Sequence, residues 1–239
     1  MWDFFQAGGG KYIDVFSFHV YNGINGDIVL GRKTMNQLSS MLEKADYGDI
    51  EKWQTEQGYF ACVYGSYQPR LQGRWTMLEM MIFEQYGIPK ENNHLWYDKS
   101  HGFWDFPTWW VNEDGGYNPA AALMRVMSEE LYGTKFSDVL DFGSEGNNMF
   151  IGSLFKGQDL DVVAIMNTGC GTMQIPFKVN SGTSVRAVSP FGLEINIPLR
   201  NGMGVLEVGE LPVYVRLVKG QKFEPGKINL GINLGDCRK

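Results

Sequence analysis

The stretch YIDVFSFHVY (Tyr12–Tyr21), read together with WQTEQG (Trp53–Gly58), decides the fold of this chain. Both runs read as short buried strands that end in polar side chains. His19 and Tyr21 close the first run, and Glu56 stands near the end of the second. In a (β/α) barrel, side chains at the C-terminal ends of the parallel strands face the active site. Glu56, followed by Gly58 and Tyr59, is therefore the candidate catalytic carboxylate.

Working outward, the spacing of Met35, Leu38, Met41 and Leu42 predicts a helix over 33–46. The loop between the first strand and this helix, Tyr21–Gly31, is rich in Gly and Asn, as functional loops above a sheet often are. A second helix is expected over 74–87, stopped by Gly87 and Pro89. A third strand is expected at HLWYD (His94–Asp98). A third helix is expected over 118–132, with Asn118 as cap, Pro119 at its first position and Gly133 beyond its end.

The texture changes after Gly133. Alternating runs at 159–167, 173–179, 183–190, 193–199 and 212–218 follow one another with turn residues and no helix between them. That pattern argues an antiparallel sandwich. The expected architecture is α/β plus all-β: an incomplete TIM-type (β/α) barrel over 1–136, carrying the site, followed by an antiparallel β-sandwich over 137–239. Three βα units stand where a closed barrel needs eight.

Composition narrows the chemistry. The chain has 239 residues, 44% hydrophobic, with a formal charge of −6 and no run of Lys or Arg. That argues against nucleic acid or an anionic membrane surface as partner. No apolar run reaches membrane-spanning length. The three cysteines, Cys62, Cys170 and Cys237, lie far apart without metal-ligand spacing, so neither a disulfide framework nor a structural metal is expected. Nothing in the sequence calls for an organic cofactor. The N-terminus has no basic region followed by an apolar one and does not read as a signal peptide, so a cytoplasmic location is expected. It reads instead as a helix end, a Gly-rich turn at Gly8–Gly10 and then a strand. Opening in the middle of a β/α pattern suggests a truncated reading frame, with the true N-terminus missing, or a reduced fold.

Seven Trp stand in the chain, several of them between Trp96 and Trp110. Sugar faces stack on aromatic rings, so a Trp-rich segment suits a carbohydrate site; core packing is the alternative. The same two readings hold for His19, as site residue or as core histidine bonded to backbone, and for Tyr21. A DFG tripeptide at Asp141–Gly143 has no Gly-rich loop or catalytic loop near it and is set aside as a kinase signal.

In order and spacing these motifs resemble the C-terminal half of the retaining glycoside hydrolases of clan A. DVFSFHVYNG (Asp14–Gly23) looks like their sixth strand with its His-x-Tyr pair. WQTEQG looks like their seventh, which carries the nucleophile. LWYD (Leu95–Asp98) looks like the eighth, and GGYNPAAALMRVMSEELYG (Gly115–Gly133) like the last barrel helix. LPVYVRL (Leu211–Leu217) looks like part of the accessory sandwich of the xylosidase, galactosidase and iduronidase-like members. The resemblance implies a retaining, exo-acting β-glycosidase of β-galactosidase or β-xylosidase type, with Glu56 as nucleophile. It implies substrate contacts from His19, Tyr21, Trp96, Asp98 and Trp104. Asp105, Glu113 and Asp114 are weaker candidates.

The family's acid/base, usually Asn-Glu at the end of the fourth strand, carries over onto no residue. No Asn-Glu precedes Glu56, and Glu113 stands after the eighth-strand match. Two further expectations follow. The open barrel face should be buried in a homo-oligomer, since soluble proteins cover sheet edges and apolar faces. The alternative to an enzyme is a non-catalytic carbohydrate-binding remnant, and behind that a fragment with no function of its own.

Overall fold

The computed structural model describes residues 2–20, 28–57, 62–63, 66–67, 69–88, 90–93, 116–169 and 171–228. In chain order the elements begin with α1 (Trp2–Gln6), a 3-10 turn (Gly9–Tyr12), β1 (Val15–Phe18), α2 (Ile28–Lys44) and β2 (Glu51–Gln57). The short strands β3 (Cys62–Val63) and β4 (Ser66–Tyr67) precede α3 (Pro69–Gln85) and β5 (Lys90–Asn93). Then come α4 (Pro119–Leu131), β6 (Thr134–Val139) and α5 (Gly143–Gly146). The remainder is all strand: β7 (Phe150–Gly157), β8 (Leu160–Asn167), β9 (Met173–Val179), β10 (Ser184–Val188), β11 (Glu194–Pro198), β12 (Met203–Val208), β13 (Val213–Val218) and β14 (Phe223–Pro225).

β1, β2 and β5 form a three-stranded parallel sheet in that order. Parallel neighbours need a crossover, and α2 supplies the one between β1 and β2. In β1 the residues alternate: Phe16 and Phe18 are buried and Ser17 is exposed. Phe16 packs against Phe5 of α1, and Phe18 meets Phe83 of α3 edge to face with ring centroids 6.3 Å apart. The helices therefore cover the Phe16–Phe18 face. Each fully buried ring contributes roughly 1.5–3 kcal/mol.

Both first helices start earlier than periodicity suggests, α2 at Ile28 and α3 at Pro69. Proline is tolerated in the first turn, where its missing N–H would lack a helical partner anyway. α3 is buried on most of its circumference because it packs against other elements on several sides. Gly73 lets α4 approach: a Cβ there would lie 2.8 Å from Leu123 Cδ1 and 3.3 Å from the Ala120 nitrogen. Gly87, at φ 65°, ends α3, and the Ile88 N–H reaches the Phe83 carbonyl at 3.1 Å. That is the closure of a Schellman cap.

The antiparallel part contains a six-stranded sheet, order β11-β10-β13-β8-β7-β6, and a three-stranded one, order β12-β9-β14. β8 is buried on both faces. Its Val162, Ala164 and Met166 join the core shared with the helices, while Val163 and Ile165 join Ile175, Phe177 and Val208 in the core shared by the two antiparallel sheets. The expected strands at 159–167, 173–179, 183–190, 193–199 and 212–218 are present within a residue or two at each end. β6, β7, β12 and β14 are additions that alternation alone did not reveal. The expected strand at His94–Asp98 lies outside the described residues; its neighbour β5 covers Lys90–Asn93.

Candidate active site

The C-terminal ends of β1 and β2 lie side by side. The parallel register pairs Ser17 with Trp53 and Phe18 with Gln54. Continued one residue further, it sets His19 beside Thr55. Ser17, Trp53 and Thr55 share one face of the sheet, and Phe16, Phe18 and Gln54 share the helix-covered face, because side chains alternate along a strand. Gln54 is fully buried, and its amide nitrogen donates to the Val20 carbonyl at 3.4 Å.

Glu56 has the parity of Gln54 yet faces His19. The pairing of β2 with β5 explains this. Gln54 aligns with Glu91 and Gln57 with Asn93, so β2 holds one extra residue between the two pairs. Such a bulge breaks the alternation and re-aims a side chain, commonly beside functional sites. The Glu56 Oε2 to His19 Nδ1 distance is 3.5 Å, with side chains 33% and 47% exposed. On its other side the His19 ring meets Thr55, Nε2 to Oγ1 at 3.1 Å, and Thr55 Oγ1 lies 3.4 Å from Ser17 Oγ.

The result is a carboxylate that solvent can reach, beside an imidazole that meets the Thr55 hydroxyl, with Ser17 behind Thr55. The carboxylate can act as nucleophile or base. The imidazole can orient it and, when an N–H faces it, donate to it. Thr55 and Ser17 were not singled out from the sequence. The available signal was alternation, which puts Ser17 on the face of His19.

Tyr21, Trp96, Asp98 and Trp104 lie outside the described residues, as do Asp105, Glu113 and Asp114. His19 and Glu56 are thus the expected pair the structure brings together. Among the described residues, no group of three His, Cys, Asp or Glu side chains could hold a metal ion, and no helix is long and apolar enough to cross a membrane. A cavity of about 720 Å³ lies elsewhere, along α2, lined by Trp2, Arg32, Lys33 and Lys44 among others. None of the side chains around Glu56 lines it, so the chemistry of the strand ends, and not cavity size, marks the candidate site.

No family model and no curated protein matches the sequence. In fold the chain is nevertheless similar to solved glycoside hydrolases. One is a family 39 glycoside hydrolase from the gut symbiont Bacteroides cellulosilyticus WH2, with TM-score 0.66 and 18% identity over 91% of this chain and 46% of that one. Another is a GH30 endoxylanase from Clostridium papyrosolvens C71, with TM-score 0.60 and 16% identity over 89% of this chain and 50% of that one. A third is a 4-O-alpha-L-rhamnosyl-beta-D-glucuronidase from Fusarium oxysporum 12S, with TM-score 0.60 and 10% identity over 88% and 55%. The chain spans about half the length of these proteins.

Proposed function

We propose that this chain is a retaining glycoside hydrolase module in which Glu56 is the nucleophile. One observation carries the reading: Glu56 stands near the C-terminal end of a parallel strand, beside an irregularity in its pairing, and faces His19 just beyond the end of the neighbouring strand. The shared fold with glycoside hydrolases supports it. In this reading residues 1–136 are part of a (β/α) barrel, corresponding to the C-terminal half of the complete enzymes, and residues 137–239 are its accessory β-sandwich. The substrate is a β-linked sugar of galactoside or xyloside type, cut from the chain end. Tyr21, Trp96, Asp98 and Trp104 contribute to its binding. The exposed face that bears Ser17, Trp53 and Thr55 is covered by a second copy of the chain.

The chemistry assigns clear roles. The Glu56 carboxylate attacks the anomeric carbon, forms a covalent glycosyl ester and expels the leaving alcohol; water then cleaves the ester. A second carboxyl group, roughly 5–5.5 Å from the first, protonates the leaving oxygen and later activates the water. His19 holds Glu56 in line.

The test is a panel of nitrophenyl β-glycosides with Glu56→Gln beside the parent protein. A 2-deoxy-2-fluoro glycoside then serves as a trap, followed by peptide mass spectrometry. Turnover lost in the variant, with a glycosyl adduct on Glu56, supports the reading. An adduct elsewhere, or a variant as active as the parent, sinks it.

A second reading rests on the Trp-rich segment between Trp96 and Trp110, a composition that suits sugar stacking with or without turnover. A carbohydrate-binding remnant would keep the aromatic platform and lose turnover. Sugar binding by a folded protein that cleaves no glycoside would select it.

A further inference from the structure

We propose that Thr55 is a positioning residue: together with Ser17 it selects the tautomer of His19, so that an N–H and not a lone pair faces Glu56. The catalytic consequence rests on the glycosidase reading above; the tautomer does not.

The argument is one of donors and acceptors. Each ring nitrogen of His19 meets a single neighbour among the described residues, Nδ1 the Glu56 carboxylate at 3.5 Å and Nε2 the Thr55 hydroxyl at 3.1 Å. An ionised carboxylate only accepts hydrogen bonds, and a neutral imidazole carries one N–H. Contact with Glu56 is attractive only when Nδ1 holds that proton. Nε2 is then an acceptor and needs a donor, which Thr55 provides. Thr55 Oγ1 lies 3.4 Å from Ser17 Oγ with Thr55 placed as the donor; both hydroxyls rotate, and with Ser17 turned to donate, the Thr55 proton is left for Nε2. The chain then runs one way, from Ser17 through Thr55 and His19 to Glu56, with each group donating once. In the reverse order Thr55 donates to Ser17, Nε2 carries the proton, and the Nδ1 lone pair points at a carboxylate. That arrangement is repulsive.

Among the described residues, the other charges on β2 have partners away from the ring. On β2, Glu51 Oε1 accepts from Trp53 Nε1, and Lys52 Nζ donates to the Gly48 carbonyl, both towards the far end of the strand. Phe16, Phe18 and Gln54 separate the ring from the helices. Glu56 is therefore the charged group facing His19 among the described residues.

The measurement is two-bond 15N–1H correlation of the histidine rings at a pH where they are neutral, with His19→Gln assigning the signal. The variants are Thr55→Val, close in shape without the hydroxyl, Thr55→Ser, which restores it, and Ser17→Ala. The parent protein and Thr55→Ser should show the Nδ1–H tautomer, and Thr55→Val should move the ring towards Nε2–H. Where the protein turns over, kcat of Thr55→Val should fall roughly three- to tenfold, the span one neutral hydrogen bond covers, with KM little changed and with recovery in Thr55→Ser. A parent protein in the Nε2–H form, or a tautomer unmoved by Thr55→Val, overturns the proposal. The expected tautomers in a protein that cleaves nothing support it and count against the enzymatic reading alone.

Discussion

Arg216 of β13 grips Glu130 of α4 with two parallel bonds, Nε to Oε2 at 2.7 Å and Nη2 to Oε1 at 2.6 Å. The fork ties α4 to the middle of the six-stranded sheet. The Glu130 side chain is 5% exposed and that of Arg216 31%. Arg216 also reaches Glu194 Oε1 at 2.8 Å, and Glu194 pairs in turn with Arg186.

Breaking a buried pair from one side strands the other charge. Glu130→Ala should therefore destabilise the protein by about 3 kcal/mol, near the low end for buried pairs because Arg216 keeps some solvent. Glu130→Gln should cost less, since it keeps one acceptor. Urea midpoints at pH 7 measure both. A loss under roughly 1 kcal/mol for Glu130→Ala would mean that the pair behaves like a surface bridge.

Close to that fork lies Tyr214, fully buried. Its hydroxyl makes no hydrogen bond among the described residues. Burial, and then the nearby Glu130 charge, push its ionisation far above the usual phenol range, so it stays neutral. An unsatisfied buried polar atom costs roughly 1–3 kcal/mol. Tyr214→Phe should accordingly leave stability unchanged or raise it; a thermal midpoint several degrees lower would show that the hydroxyl has a partner.

Glu84 on α3 offers a test by pH. Burial raises its carboxyl above the usual value. A raised acid binds its proton more tightly in the folded state. Its contribution is therefore favourable below the unfolded pKa and is lost as pH rises through the folded one. Glu84→Gln should stabilise the protein at pH 7, and the gain should vanish below about pH 4. Equal gains at both pH values would remove desolvation as the cause.

Asp141 behaves in the opposite sense. Lys227 bonds its carboxylate, the Gly143 N–H and the Asn147 amide add two more bonds, and the group is held down at about 2. Its contribution is present above the unfolded pKa, near 3.9, and is lost as pH falls towards the folded value. Asp141→Asn should be the less stable protein at pH 6, and the two should converge near pH 2. Parallel stability curves would refute the assignment. The DFG tripeptide thus serves as a turn and an anchor for the segment around Lys227.

Much of the fold was legible in local pattern. The helix after Asn118 begins at Pro119, where a missing N–H costs nothing. β9 matches its expected bounds, because a strand buried on one face writes its period of two into the sequence. The starts of α2 and α3 were not legible. Ile28–Gly31 reads as loop beside its Asn and Gly neighbours, and burial against other elements made it helix.

The candidate site divides the same way. Composition and motif order marked Glu56 and His19 separately, as polar residues closing two strands. Their pairing depends on how β1 and β2 align and on one extra residue in β2, and neither is encoded near Glu56 alone. Parallel register is set by the crossover helix and by Phe16 and Phe18 packing against α1 and α3, which are non-local terms. So the sequence by itself determined which polar residues stand near the strand ends and which faces are apolar, although β1 spans Val15–Phe18 and not the whole run Tyr12–Tyr21. The tertiary structure alone decided that Glu56 turns to His19, that Thr55 and Ser17 stand behind that ring, and that Arg216 finds Glu130, because those contacts join residues distant in the chain.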